Sequence, residues 1–147
     1  MYSCYLRKGV VYIPTWGKID KGHYRGVEPI AVVPVSDTDG LWRAFRETIA
    51  RGNPVVPRLP RAQIPPPAIL KYAGVKTWGA FSRGTLSWNI NELINDGFQI
   101  VGKRKSPSGG FIDDPQQTVT MPPGSNVEDV IERMISILQE TAREPRP

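Results

Sequence analysis

Apolar and polar residues alternate most clearly in the second half of the chain. Leu86, Trp88 and Ile90 alternate with Ser87, Asn89 and Asn91, the two-residue period of a strand with one buried face. Phe98 and Ile100 resume the alternation after Asn95-Asp96-Gly97, and Asp-Gly between such runs is a strong hairpin signal. A second turn follows at Ser106-Pro107-Ser108-Gly109-Gly110. The stretch from Gly74 to Phe111 therefore reads as a meander that supplies the sheet. Tyr2 to Leu6 and Val10 to Ile13 read as two short strands joined at Lys8-Gly9, the second too short and β-branched for a helix. Trp16 to His23 reads as a polar loop. Tyr24 to Val35 is a longer extended run interrupted by Pro29 and Pro34, which predicts an edge strand or a broken one, because proline cannot donate to a central ladder. Phe111-Ile112 and Thr118 to Met121 predict two more short strands around an Asp113-Asp114-Pro115 turn.

The period changes to that of a helix in two places. Leu41, Trp42, Phe45, Thr48 and Ile49 form one stripe, with Arg43, Arg46 and Glu47 opposite. Ser36 to Asp39 offers N-cap side chains, and Gly52-Asn53-Pro54 is a stop. Val127, Val130, Ile131, Met134 and Leu138 form a second stripe, widened by Ile135 and Ile137. Ser125 and Glu128 fit a capping box before it, while Asp129 and Arg143 suit the helix dipole. This last helix is expected to pack on the meander. Ala68 to Tyr72 and Lys76 to Arg83 predict shorter helices. The fold class read from these patterns is α+β: a mainly antiparallel sheet, with helices at about 37–51 and 126–142 packed on it.

The chain of 147 residues fits one domain, 1–147, with a proline-rich connection at about 54–67 and a tail after 142 expected to fray. Proline stands out, at 15 residues, six of them between Pro54 and Pro67. They predict stiff surface loops. The single cysteine, Cys4, has no intrachain disulfide partner. Met1 to Pro14 lacks the apolar core of a secretory signal, and no run approaches the ~18 to 20 apolar residues of a membrane span. The cytoplasm is the expected compartment, with no membrane partner.

Charge is unevenly placed. Residues 1–110 carry 16 Lys/Arg and 7 Asp/Glu, whereas residues 111–147 carry 3 and 7, within a net charge of +5. A basic body and an acidic C-terminal quarter give the chain two faces for charged partners.

Few residues carry recognisable chemistry. One histidine, His23, and one cysteine do not make a Cys/His zinc site. A Ser-His-Asp hydrolase would need His23, which lies in a Gly/Lys loop. Ser106 to Gly110 lacks the order of a phosphate-binding loop. A catalytic role would fall first on Glu28, Asp113 and Asp114, if two of these carboxylates met in a cleft. Aromatic residues interleave with cations in Trp16, Lys18, Lys21, Tyr24 and Arg25, and again in Lys76, Trp78, Phe81 and Arg83. With Lys103, Arg104 and Lys105 they offer what single-stranded nucleic acid requires, stacking surfaces beside positive charge. The alternative reading is thus a small basic nucleic-acid-binding protein using Lys76, Arg83, Lys103, Arg104 and Lys105.

Five phrases carry a family resemblance: Tyr24-Arg-Gly-Val-Glu28-Pro29, Gly52-Asn-Pro-Val-Val-Pro57, Gly74-Val-Lys-Thr-Trp-Gly-Ala-Phe81, Ser106-Pro-Ser-Gly-Gly-Phe111 and Met121-Pro-Pro-Gly-Ser-Asn-Val127. Over about residues 10 to 140 the chain resembles the immunity proteins of bacterial contact-dependent growth inhibition systems. The resemblance implies a non-enzymatic cytoplasmic antitoxin, without cofactor or metal, that binds the C-terminal toxin domain of a sister cell's effector and covers its working surface. Many such toxins are nucleases with basic phosphate-holding surfaces. Immunity proteins against them are often acidic, and this chain is net basic. An acidic contact would then fall on Asp113, Asp114, Glu128, Asp129 and Glu132, with Asp37 and Asp39 next.

Overall fold

A computed structural model describes residues 1–94 and 97–144. The β-branched and aromatic N-terminal runs form three strands, β1 (Tyr2–Arg7), β2 (Val10–Asp20) and β3 (His23–Pro34). Three more follow later, β4 (Thr85–Glu92), β5 (Phe98–Lys105) and β6 (Phe111–Thr120). They join in one sheet of order β3-β2-β1-β4-β5-β6, antiparallel at every step. Two three-stranded meanders thus meet where β1 pairs with β4, from Tyr2 opposite Ile90 to Arg7 opposite Thr85. Four helices complete the chain: α1 (Thr38–Arg51), α2 (Ile69–Ala73), α3 (Trp78–Ser82) and α4 (Val127–Arg143). The fold is α+β, as the patterning predicts.

The long helices start where side chains satisfy their free N–H groups. Asp37 caps α1 by accepting from the Gly40 N–H at 3.0 Å. Gly52, in the left-handed φ region at 73°, closes it and donates to the Thr48 and Ile49 carbonyls. The capping box of α4 lies one residue beyond the expected one. Asn126 and Asp129 exchange hydrogen bonds at 2.9 Å in both directions. Ser125 is spent elsewhere, its hydroxyl donating to the Pro122 carbonyl at 2.7 Å.

Both stripes point into one core. Leu41, Phe45, Val130, Ile131, Met134 and Leu138 pack over Cys4, Ile13, Ile90 and Ile100 on one face of the sheet. The helices run antiparallel, tied at one end by Arg46 to Glu128 at 2.6 Å. At the other end Gln139 donates to the Val35 carbonyl and the Thr38 hydroxyl. Trp88, Ile90, Phe98 and Ile100 lie beneath α4, as the meander reading requires.

The opposite face is also covered, which the alternation in β4 does not reveal. Tyr5, Tyr12, Ile30, Ile69, Leu70 and Phe81 form a second core there. Its centre is aromatic: Phe81 lies 5.4 Å from Tyr5 and 5.3 Å from Trp78, ring centre to ring centre. The polar positions of β4 therefore become interior positions, and Thr85, Ser87 and Asn89 are all buried. Hydrogen bonds make this tolerable. The Thr85 hydroxyl donates to the Phe81 carbonyl, and Asn89 and Ser3 are hydrogen-bonded across β4 and β1.

Three other expectations need correction. Trp16 to Asp20 is strand, not loop, because it finds partners on both sides. Trp16, Gly17 and Lys18 pair with Gly26, Arg25 and Tyr24, while Lys18 exchanges backbone hydrogen bonds with Pro54 and Val56 on the far side. Phe111–Thr120 is one strand, not two around a turn. The Asp-Asp-Pro segment is accommodated by a bulge in which Gly102 alone stands opposite residues 114–117. A Cβ on Gly102 would come within 2.5 Å of Gln117 Cβ, so that approach needs glycine. Finally, Val10–Asp20 is much longer than the predicted Val10 to Ile13. Of the turn between β4 and β5, Asn95 and Asp96 lie outside the described residues, as do residues 145–147 of the tail.

Ile131 is completely buried between α4 and the sheet. Ile131→Ala is expected to lower stability by ~2–5 kcal/mol through lost burial and a residual cavity. Ile112→Ala, on an exposed edge position, should change it by no more than about 0.5 kcal/mol. Urea unfolding of the two variants checks this ranking.

Candidate functional site

The second face of the sheet is covered only in part. Where β2 and β3 extend beyond β1, the chain leaves an open cleft of about 530 Å³. Strand alternation puts Pro14 and Trp16 of β2 and Gly26 of β3 on its floor. The segment Ile64 to Ile69 forms one wall and Trp78 of α3 the other. Three consecutive prolines, Pro65 to Pro67, stiffen that wall, since each has a fixed φ and no N–H to satisfy. The residues leading into it are anchored by β2. Val56 packs so closely on Gly17 that a Cβ there would lie 2.6 Å from the Val56 methyl. Asn53 adds bonds to the Met1 and Trp16 carbonyls at 2.8 and 2.9 Å.

The rim carries charge. A bulge between Val27 and Ile30 sets Glu28 and Pro29 outside the β2–β3 ladder. Glu28 reaches α2, where it accepts from the Tyr72 hydroxyl and from Lys71 Nζ, the latter at 2.9 Å. The Tyr72 hydroxyl and then Lys71 hold the Glu28 carboxyl below its ordinary value, and Glu28 raises both partners in return. This contact latches the outer wall of the cleft to the edge strand. Among the described residues the Arg25 side chain makes one hydrogen bond, donated to the Pro57 carbonyl at 3.4 Å. Trp16 lines the cleft, and its indole N–H is buried with no acceptor among the described residues. At the β2–β3 turn, Asp20 contacts both His23 and Arg58, which uses the lone histidine in an exposed ionic cluster.

The acidic candidates are not gathered in one patch. Asp113 pairs with Lys103 at 2.5 Å on β6. Asp114 folds the β6 bulge, accepting from the Gln116 N–H and the Gln117 amide. Glu128 and Asp129 lie at the start of α4, one bound to Arg46 and the other in the capping box, with Glu132 exposed one turn on. Asp37 and Asp39 stand at the start of α1, beside the other end of α4. Glu28 lies on β3 and Asp113 and Asp114 on β6, the two edge strands of the sheet. Glu28 therefore forms no carboxylate pair with either aspartate, and neither Asp113 nor Asp114 lines the cleft. No group of three or more His, Cys, Asp or Glu able to hold a metal occurs among the described residues.

The basic candidates divide differently. Lys76 and Arg83 flank α3, and Lys105 stands across the ladder from Phe111. Because Phe111 touches Trp78, with centroids 6.1 Å apart, these two loops lie side by side. Arg104 is exposed nearby on β5, whereas Lys103 is held by Asp113. Sequence reasoning singled out Trp16, Tyr24, Arg25 and Trp78 as interleaved aromatics and cations, and all four line the cleft. It missed the proline wall and the Glu28 latch.

No family model and no curated protein matches the chain. Among solved structures, a protein of unknown function from Neisseria meningitidis, NMB0488, is similar in fold, with a TM-score of 0.62. The match spans 95% of this chain and 93% of that one at 15% identity, so the likeness concerns the fold alone. No helix among the described residues is long and apolar enough to cross a membrane.

The latch has a pH signature. The ionised Glu28 carboxylate is the form that both partners hold, so its folded titration lies below the unfolded one. Its contribution is complete above the ordinary glutamate range and is lost as pH falls through the depressed value. The amide NMR signals of Ile69–Ala73 should therefore show an acidic titration step that Glu28→Gln removes. Identical profiles in the two proteins would contradict the latch.

Proposed function

We propose that this protein is an immunity protein of a contact-dependent growth inhibition system. In this reading it binds and neutralises a cognate toxin domain in the cytoplasm by stoichiometric occlusion, without catalysing a reaction. The observation that carries the reading is where the fold puts the phrases of the resemblance. Tyr24 to Pro29 borders the cleft, and Gly52 to Pro57 anchors the approach to its wall on β2. Gly74 to Phe81 supplies Trp78, and Ser106 to Phe111 brings Phe111 onto that tryptophan. Three of these stretches gather on the face away from the long helices, and the fourth runs from the end of α1 along β2. Loops held on a rigid sheet are where recognition residues are commonly placed. Aromatic anchors with a charged rim are also the usual anatomy of a protein interface.

The net positive charge bears on the partner. Electrostatic complementarity mainly speeds encounter with the right partner and disfavours wrong ones. A basic recognition face suits a toxin surface of negative potential.

A second reading keeps one specific support. The contact of Trp78 with Phe111 sets Lys76, Arg83 and Lys105 around a pair of aromatic rings, the arrangement that single-stranded nucleic acid uses.

The test is co-expression with the C-terminal toxin domain of a contact-dependent inhibition effector, which this reading expects to be encoded beside the gene. The immunity reading predicts restored growth and a 1:1 complex by light scattering. Toxicity unchanged by co-expression, together with RNA or DNA binding that collapses as salt is raised, would replace it with the second reading.

A further inference from the structure

We infer that the cleft between Trp16 and the Pro65–Pro67 wall receives a segment of the partner protein in which an acidic side chain adjoins an apolar one. The identity of the partner rests on the immunity reading. The class of segment rests on the cleft's own chemistry.

The only carboxylate in the lining, Glu28, already accepts from Tyr72 and Lys71. The charged group left over is a donor. Arg25 has no carboxylate partner among the described residues, only one long contact to a carbonyl. The Trp16 ring lines the floor beside it. An occupant that suits this site brings acceptors, and beside an arginine fork a carboxylate is the best of them.

Charge around the cleft points the same way. Residues 16–30 and 54–72, the segments that include its floor and outer wall, contain six Lys/Arg against two Asp/Glu. Asp20 and Glu28 are paired with Arg58 and Lys71, and of the other cations Arg25 is the one that lines the cleft. Much of the rest of the lining is apolar, with Pro14, Ile64, the three prolines and Ile69 beside the rings of Tyr5 and Tyr24. A cavity of about 530 Å³ is of the size that holds a compact ligand or a few side chains.

The open space begins at Gly26. A Cβ built there would meet only Pro14 Cβ, at 3.9 Å, an ordinary contact. A larger side chain at this position fills the cleft from its floor while leaving the strand unstrained. The inference also gives the basic balance of the chain a role. A donor-lined cleft recognises an acidic surface, opposite in sign to the phosphate-holding surface of a nuclease.

The test uses the full chain as wild type, Gly26→Leu and Arg25→Glu. Each is titrated with the cognate toxin domain and, separately, with N-acetyl-Asp-Phe-amide and N-acetyl-Lys-Phe-amide, followed by the NMR signal of the Trp16 indole N–H, whose ring lines the cleft. Gly26→Leu and Arg25→Glu should weaken toxin binding at least about tenfold with an unchanged unfolding midpoint. The Asp peptide should shift the indole signal in the wild type and not in Gly26→Leu, and the Lys peptide should leave it in place. Toxin affinity unchanged in both Gly26→Leu and Arg25→Glu overturns the inference while leaving the immunity reading intact. If no toxin domain binds the wild type, that reading falls and the two peptides alone decide the cleft's class. Equal shifts from both peptides, no shift from the Asp peptide, or displacement by an RNA oligonucleotide would overturn it.

Discussion

The pairing of β1 with β4 is the constraint on which the molecule depends. Six consecutive register positions, from Tyr2 with Ile90 to Arg7 with Thr85, are the seam between two local meanders. Each meander is built from near neighbours in sequence, but the seam joins residues some 80 positions apart. It also makes β1 an interior strand on both faces. Tyr2, Cys4 and Leu6 enter the core under α1 and α4, and Tyr5 enters the aromatic core opposite. Even the thiol of Cys4 belongs to this packing, its ionisation pushed far up by complete burial.

A sheet buried on both faces needs two covers, and the chain supplies unequal ones. The long helices contribute broad apolar stripes that close the first face. The second cover consists of two short helices, Trp78, Phe111 and a proline-stiffened segment. It closes over Tyr5 and Tyr12 and stops short of the outer ends of β2 and β3. The cleft is the direct result of that shortfall. Its wall is held by prolines, by close packing of Val56 on Gly17 and by the Glu28 latch. A stiff wall keeps the cavity formed before a partner arrives, which lowers the ordering cost of binding.

What the sequence made legible follows from the range of the interactions involved. The stripes of α1 and α4 and the two-residue period of β4 are local periodicities, and they predict two helices and a strand, though not that both faces of β4 are covered. The edge position of β3 also followed, because proline limits pairing wherever it occurs. The failures are all tertiary. Trp16 to Asp20 looks like a polar loop until Pro54 and Val56 pair beside it. Asp113-Asp114-Pro115 carries the composition of a turn, yet the missing side chain of Gly102 lets one strand bulge through it. The capping box of α4 moved by one residue because Ser125 found a nearer carbonyl. The cleft was half legible. Its aromatics and Arg25 stood out as a group, but nothing local says that prolines about 40 positions later form the opposite wall.

In the proposed function, recognition belongs to the cleft side of the sheet and scaffolding to the helical side. Hydrogen–deuterium exchange of the protein alone and in its toxin complex measures this directly. Added protection should fall on residues 16–28 and 64–78 and leave the exposed faces of α1 and α4 unchanged. Protection centred on α1 and α4, with the cleft segments exchanging as in the free protein, would contradict it.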